Sequence, residues 1–364
     1  MPRLVAIPAV PGPRFVAELA RAWDGGDAVL PVDPRLPPPA AAALVEAMRP
    51  GEPVEPGDAL VVATSGTTGA PKGVVLTHDA VAASAAAVHR RLAADPAHDA
   101  WLAVLPVAHI GGLAVVTRAL AGGVPLTFDW DDPAATLVSV VPTQLERHGV
   151  ARISRFRVVL AGGSADWRAS ERPTNVVHTY GSTETGSGVV YDGVPLDGVE
   201  VRVESVDDAL DGAGGIWVRG PMLLRAYRDG TDPKDAGGWL ATGDAGSWDH
   251  NGRLAVRGRL DDAIVTGGEK VWPAAVEAVL AGLPGVAEAG VGGVPDPEWG
   301  ERVVAYVVVA EGCSPPPLGM VRDAVKAALA AYAAPQEVVV VPALPRTSSG
   351  KLRRPLFRPP PVDG

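Results

Sequence analysis

Two hydrophobic rhythms alternate along the chain, and together they predict stacked layers of strand and helix. Apolar runs at 59–63, 74–76, 101–106, 124–128, 137–141, 157–160 and 175–177 are short and bounded by turn-forming residues, so they read as strands. Ala/Val/Leu stretches at 14–23, 39–48, 79–92 and 113–120 read as helices, with Asp79 placed to cap the third. The first two of these helices are the elements predicted within the Pro/Ala-rich segment 1–57. From 189 to 257 the pattern changes to short runs cut by Gly and Asp turns, which predicts a small β-rich subdomain. A new unit follows, with helices at 273–280 and 318–331 and strands at 288–292, 303–309 and 337–341. The expected fold is α/β: a large layered α/β N-terminal domain over 1–258 with a β-rich subdomain, plus a small α+β C-terminal domain over 259–364.

Composition narrows the setting. The net charge of −10 lacks the basic excess of a general nucleic-acid binder, and 47% hydrophobic with 20% charged residues fits a globular protein. Cys313 is the only cysteine, which excludes a disulfide framework or a cysteine metal cluster and suits a reducing cytoplasm. Pro2 and Pro8 break the N-terminus before a signal-peptide core could form, and no uncharged apolar run reaches the length of a membrane span. The expectation is therefore a cytoplasmic protein of small-molecule partners, without nucleic acid or membrane insertion; homo-oligomerisation is left open.

Lysine is scarce and oddly placed. There are five, and Lys72, Lys270 and Lys351 each lie in a glycine-rich segment while arginine serves as the default cation elsewhere. An ammonium is a compact point charge that a guanidinium does not replace at a tight anion site. Lys72 closes the string Ala63-Thr64-Ser65-Gly66-Thr67-Thr68-Gly69-Ala70-Pro71-Lys72-Gly73 between two strand-like runs. Its glycines let backbone N–H groups approach an anion, and its hydroxyls and lysine suit a polyphosphate. Pro71 stands where a Walker A loop needs glycine. A Gly/Thr-rich hairpin turn without a ligand is the plain alternative.

Four further strings accompany this loop in order. They are His178-Thr179-Tyr180-Gly181-Ser182-Thr183-Glu184-Thr185, Trp239-Leu240-Ala241-Thr242-Gly243-Asp244, Gly258-Arg259-Leu260-Asp261-Asp262 followed by Gly267-Gly268, and Leu344-Pro345-Arg346-Thr347-Ser348-Ser349-Gly350-Lys351. Over about residues 58–354 the chain thus resembles the acyl-adenylate-forming enzymes, the superfamily of acyl-CoA synthetases, adenylation domains and luciferases. The resemblance implies ATP, Mg²⁺ and, as co-substrate, coenzyme A. It implies that Thr64, Ser65, Gly66, Thr67, Thr68, Gly69 and Lys72 cradle the β- and γ-phosphates. Gly163, Ser164, Tyr180 and Gly181 would flank the adenine, and Glu184, beside Thr183, would help hold Mg²⁺. Asp244 would accept the ribose hydroxyls with Arg259 in support, and Lys351 would bridge the reacting carboxylate and the α-phosphate. The barrier to this step is like-charge approach, so positioning and cations are the natural tools. The same resemblance makes the small domain mobile about Asp261 and brings the loop of Gly267, Gly268 and Lys270 to the site for thioester formation.

Less specific strings narrow the acid. Leu105-Pro106-Val107-Ala108-His109-Ile110-Gly111-Gly112-Leu113, Val141-Pro142-Thr143-Gln144-Leu145 and Val190-Tyr191-Asp192-Gly193-Val194-Pro195-Leu196-Asp197-Gly198-Val199 look like the 2-succinylbenzoate–CoA ligases, whose acid carries two carboxylates. His109 would line the acyl pocket, against the plain reading of a core or helix-capping histidine. Arg118 is the candidate partner of the second carboxylate, against the plain reading of a solvated helix arginine, and Tyr191 would lie nearby. The chain departs from the family at 132–140 and 164–175, both compressed, and at Ser182, where Met is common. Two other readings remain open: an enzyme that passes the adenylate to an amine or carrier protein, and a paralogue that binds nucleotide without catalysis.

Overall fold

The computed structural model describes residues 1–65, 71–163, 173–205, 213–346 and 352–357. The chain is α/β, as the alternation predicts, and divides into two compact units: residues 1–201, 218–240 and 252–254, and residues 202–217, 241–251 and 255–364.

In the first unit one sheet runs in the order Leu4–Pro8, Ala28–Val32, Asp58–Ser65, Pro71–Thr77, Ala226–Tyr227. Its first three strands are parallel; the fourth doubles back on the third as a hairpin, and the fifth pairs antiparallel to the fourth. The first two strands fall where only helices were expected. Leu4 and Ile7 are buried among prolines, and the short run Ala28–Val32 is buried almost throughout, so neither shows the alternation that marks a half-exposed strand. The second sheet has the order Val194–Pro195, Ser187–Tyr191, Val176–Ser182, Val158–Gly162, Leu137–Val140, Trp101–Leu102, Leu126–Thr127. The last five are parallel; helix Ile110–Gly122 joins Trp101–Leu102 to Leu126–Thr127, helix Pro142–Ile153 joins Leu137–Val140 to Val158–Gly162, and helix His78–Leu92 leads from the first sheet into Trp101–Leu102. Thr77, rather than the expected Asp79, caps His78–Leu92: its hydroxyl accepts from the Ala80 N–H at 3.1 Å, leaving Asp79 in the first turn where its charge favours the helix dipole.

Most of a four-stranded sheet, Glu200–Glu204, Gly214–Arg219, Leu240–Trp248 and Leu254–Arg259, belongs to the second unit and supplies the expected β-rich part. That unit also holds the antiparallel pair Val286–Asp296 and Gly300–Val309; along the other edge of Gly300–Val309, Ile264–Thr266 (itself paired with Glu269–Val271) meets its first residue and Glu337–Val340 runs parallel to its later part. Val276 and Leu280 from helix Pro273–Leu280 and Val321 and Val325 from helix Leu318–Ala328 cover it, with Val291, Val303 and Ala305 from the strands.

A half-buried ion pair ties neighbouring strands of the parallel sheet together. Asp99, Thr136 and Arg157 stand just before three neighbouring strands; Asp99 accepts from the Thr136 hydroxyl at 2.6 Å and from Arg157 at 2.9 and 2.6 Å. Burial opposes the Asp99 charge, but these bonds prevail and hold its carboxyl below the usual 3.8. A depressed carboxylate stabilises the fold above its unfolded pKa, and the contribution is lost as pH falls through the folded value. Asp99→Asn should cost about 2 kcal/mol at neutral pH, reduced from the full buried-pair penalty because Arg157 is partly solvated. Denaturation of both proteins across pH should show the gap closing below about pH 4.

Candidate functional site

The strands on either side of the Gly/Thr-rich string pair antiparallel in the first sheet. Thr64 pairs with Lys72 and Ser65 with Pro71, and the Thr64 hydroxyl lies 3.4 Å from the Lys72 carbonyl. Gly66, Thr67, Thr68, Gly69, Ser164 and Lys351 lie outside the described residues.

Lys72 extends over the Tyr227 ring, 5.2 Å from its centroid, and the Tyr227 hydroxyl donates to Glu184 Oε1 at 3.3 Å. Three distant segments therefore meet as an ammonium, a phenol and a carboxylate. Burial and the neighbouring Glu184 push the Tyr227 hydroxyl up to about 12, so it remains a proton donor to Glu184 at neutral pH. Sequence reasoning missed Tyr227, which lies in a two-residue edge strand between Arg225 and Arg228 with no pattern linking it to Lys72 or Glu184. Arg225 fixes that strand by a two-pronged pair to Asp58, 2.8 and 3.0 Å, whose side chain is 2% exposed.

Glu184 is held by a tight turn. Strand Val176–Ser182 brings Tyr180 opposite Val190 and Gly181 opposite Gly188. A Cβ on Gly181 would lie 2.0 Å from the Ser187 carbonyl, so the close strand approach requires glycine there. Thr183 and Glu184 follow, and buried Thr185 closes the turn: its hydroxyl accepts from the Ser182 N–H at 2.7 Å and donates to the Ser187 carbonyl at 2.7 Å. Gly163 ends the adjacent strand Val158–Gly162 with φ of 100°.

His109 stands at the N-cap position of helix Ile110–Gly122 without a side-chain capping bond and is exposed, so capping is not its role. Arg118, two turns on, is not a solvated arginine. It is 4% exposed; Nη2 reaches the Ser187 hydroxyl at 3.3 Å, and the guanidinium lies 5.0 Å from the Trp101 ring centroid. Nε and Nη1 are buried with no hydrogen-bond partner among the described residues. Burial lowers its affinity for the proton, and the nearby Tyr191, itself fully buried, partly offsets this. The adjoining cavity, lined by Ile110, Ala114, Thr117 and Gly186 among others, is about 10 Å³, room for one water.

In the second unit Arg259 Nη1 donates to the Thr242 carbonyl at 2.9 Å and to Asp244 at 3.3 Å, uniting two of the sequence candidates. The Thr242 hydroxyl donates to the Ile216 carbonyl at 2.8 Å and accepts from the Asp244 N–H at 3.1 Å. Gly243 between them has φ of 75°, and a Cβ there would lie 2.6 Å from Arg259 Nη2. Asp261 is exposed in the single turn Leu260–Asp262. Gly267 and Gly268, φ 60° and 84°, form the two-residue connection between strands Ile264–Thr266 and Glu269–Val271, where Lys270 pairs with Val265. Positive φ at both central residues is the demand of a type I′ hairpin turn.

Gly243→Ala tests the Asp244–Arg259 arrangement. Strain and the clash together should cost about 2 kcal/mol, and in an Arg259→Ala background only the φ strain, about 1 kcal/mol, should remain. Denaturation midpoints of the four proteins measure the difference.

Residues 28–228 match the AMP-binding enzyme family and residues 275–351 the AMP-binding enzyme C-terminal domain. A Mycobacterium tuberculosis (strain ATCC 25618 / H37Rv) protein named "Probable 2-succinylbenzoate–CoA ligase" is 40% identical over 344 residues, 86% of this chain and 87% of its own. Among solved structures, the o-succinylbenzoate CoA synthetase (MenE) from Bacillus subtilis in complex with the acyl-adenylate intermediate OSB-AMP matches with a TM-score of 0.84 and 27% identity over 98% of this chain and 88% of that one. The amide bond synthetase McbA from Marinactinospora thermotolerans matches with a TM-score of 0.81 and 26% identity over 97% and 89%. No helix among the described residues is long and apolar enough to cross a membrane.

Proposed function

We propose, from the premise that this chain belongs to the AMP-binding enzyme family, that it is an ATP-dependent acid–CoA ligase acting on 2-succinylbenzoate in menaquinone biosynthesis. The observation that carries the acid assignment is Arg118, a buried guanidinium with two donor atoms that have no partner among the described residues. Such a group costs several kcal/mol unless a ligand completes it, and a carboxylate matches its fork. Admitting the ring carboxylate requires the one-water space beside Arg118 to widen, while His109 and Tyr191 would border the acid.

The chemistry follows from charge. A carboxylate attacks the α-phosphate of ATP, the new acyl–phosphate bond forms, and pyrophosphate leaves with the electron pair of the broken bond. Lys72 and the hydroxyls of the loop 64–68 would take the β- and γ-phosphates, and Tyr227 would keep the Lys72 ammonium and the Glu184 carboxylate in register. Glu184 suits Mg²⁺ because one oxygen is engaged by Tyr227 and the other accepts no hydrogen bond among the described residues; the ion would neutralise phosphate charge. Thr183 and Gly181 hold the turn, Tyr180, Gly163 and Ser164 would flank adenine, and Asp244 with Arg259 would hold the ribose. Lys351, from a C-terminal domain of residues 259–364 turning about Asp261, would bridge carboxylate and α-phosphate. In the second half-reaction the CoA thiol attacks the acyl carbon and AMP leaves, with the loop of Gly267, Gly268 and Lys270 at the thiol side.

The likeness to an amide bond synthetase supports a second reading, transfer of the same adenylate to an amine. AMP release measured with 2-succinylbenzoate, benzoate, a fatty acid and an amino acid, each with and without CoA, decides between them. The ligase reading expects CoA-dependent turnover with 2-succinylbenzoate, and turnover that needs an amine instead would overturn it. Arg118→Ala should raise KM for the dicarboxylate about tenfold or more, with KM for ATP unchanged. Parallel changes in both would remove Arg118 from the acid site.

A further inference from the structure

Arg118 is held in place by neutral groups. The Trp101 indole N–H, a donor only, points to His89 Nε2 at 3.1 Å, so that nitrogen presents a lone pair and the imidazole carries its proton on Nδ1. Burial, and then the Arg118 charge, lower His89 to about 4 against the opposing pull of Asp99, which keeps the acceptor available. His89 belongs to helix His78–Leu92 and fits against Gly122 of helix Ile110–Gly122, where any Cβ would lie 2.1 Å from the ring. The indole thereby fixed offers its face to the guanidinium at 5.0 Å. A π face attracts a cation without accepting its in-plane N–H groups, whereas a carboxylate counter-ion would occupy them.

We propose that Trp101 and His89 are positioning residues for acid selection: the indole, steered by His89, holds Arg118 with its donors free for a second carboxylate on the substrate. This rests on the reading of Arg118 as the partner of that carboxylate. Neither residue touches the acid; both act through the guanidinium.

The test compares 2-succinylbenzoate with benzoylpropionate, the same keto acid without the ring carboxylate, in wild type, Arg118→Met, Trp101→Phe, His89→Leu and His89→Gln. Trp101→Phe removes the N–H, and His89→Leu removes its acceptor. Each should raise KM for 2-succinylbenzoate about tenfold while kcat, KM for ATP and KM for benzoylpropionate stay within about twofold. His89→Gln, whose amide oxygen can accept the indole N–H, should restore most of the loss. Arg118→Met should erase the preference between the two acids. Uniform losses across both acids and ATP would make the pair merely structural and overturn the proposal. An intact preference in His89→Leu and Trp101→Phe, with preference lost in Arg118→Met, would overturn the positioning role alone. Equal use of both acids by the wild type would overturn the Arg118 reading and the proposal with it. If Trp101→Phe does not fold, the half-buried His89 pair of variants carries the decision.

Discussion

A guanidinium buried without a counter-ion among the described residues is the constraint around which the polar interior of the first unit is arranged. Water would solvate Arg118 far better than protein does, and a salt bridge would be the common remedy. The fold instead supplies one hydroxyl from Ser187, the face of Trp101 and the nearby phenol of Tyr191. Each eases the charge without exhausting its donors. The neighbouring ionised pair, Asp99 with Arg157, lies where it aligns strands and is already satisfied. The first unit therefore contains a completed charge pair that stabilises it and, on helix Ile110–Gly122, a single buried charge that weakens it. Sites that sacrifice stability in this way are where ligands are expected to complete the structure.

The cluster of Lys72, Tyr227 and Glu184 follows a different principle. None of its members is deeply buried, and their geometry comes from three backbone devices: a hairpin, a threonine-closed turn and an edge strand pinned by Asp58 and Arg225. Backbone devices keep side chains directed at one region while leaving them solvated enough to retain their charges. A site for a polyphosphate needs that combination, since its cations must be charged before the ligand arrives.

Much of this was legible in the chain, and the failures have physical causes. Long periodic segments such as His78–Leu92 and Gly300–Val309 emerge because their patterning agrees with their packing. Ala28–Val32 does not, because a strand covered on both faces loses alternation, and Leu4–Pro8 does not, because it is a short edge strand bounded by prolines. The burial of Arg118 could have been read: helix Ile110–Gly122 is apolar on every side, and a helix of that kind is interior, so its one cation must be interior too. Tyr227 could not have been. Its partners lie more than 150 positions away at Lys72 and 43 away at Glu184, and only tertiary structure joins them.

The glycine pair at 267 and 268 shows how a motif can be correct and still weigh little. A two-residue type I′ turn between strands Ile264–Thr266 and Glu269–Val271 demands positive φ at both positions whatever the loop does. Glycine is therefore accounted for by the hairpin before any thiol is considered. By contrast, nothing in the stability of the fold calls for Arg118 where it stands: a methionine would fill that space without a charge to bury. A residue the fold would be more stable without carries more information about function than one it cannot do without, and for that reason the acid assignment leans on Arg118 rather than on the glycines.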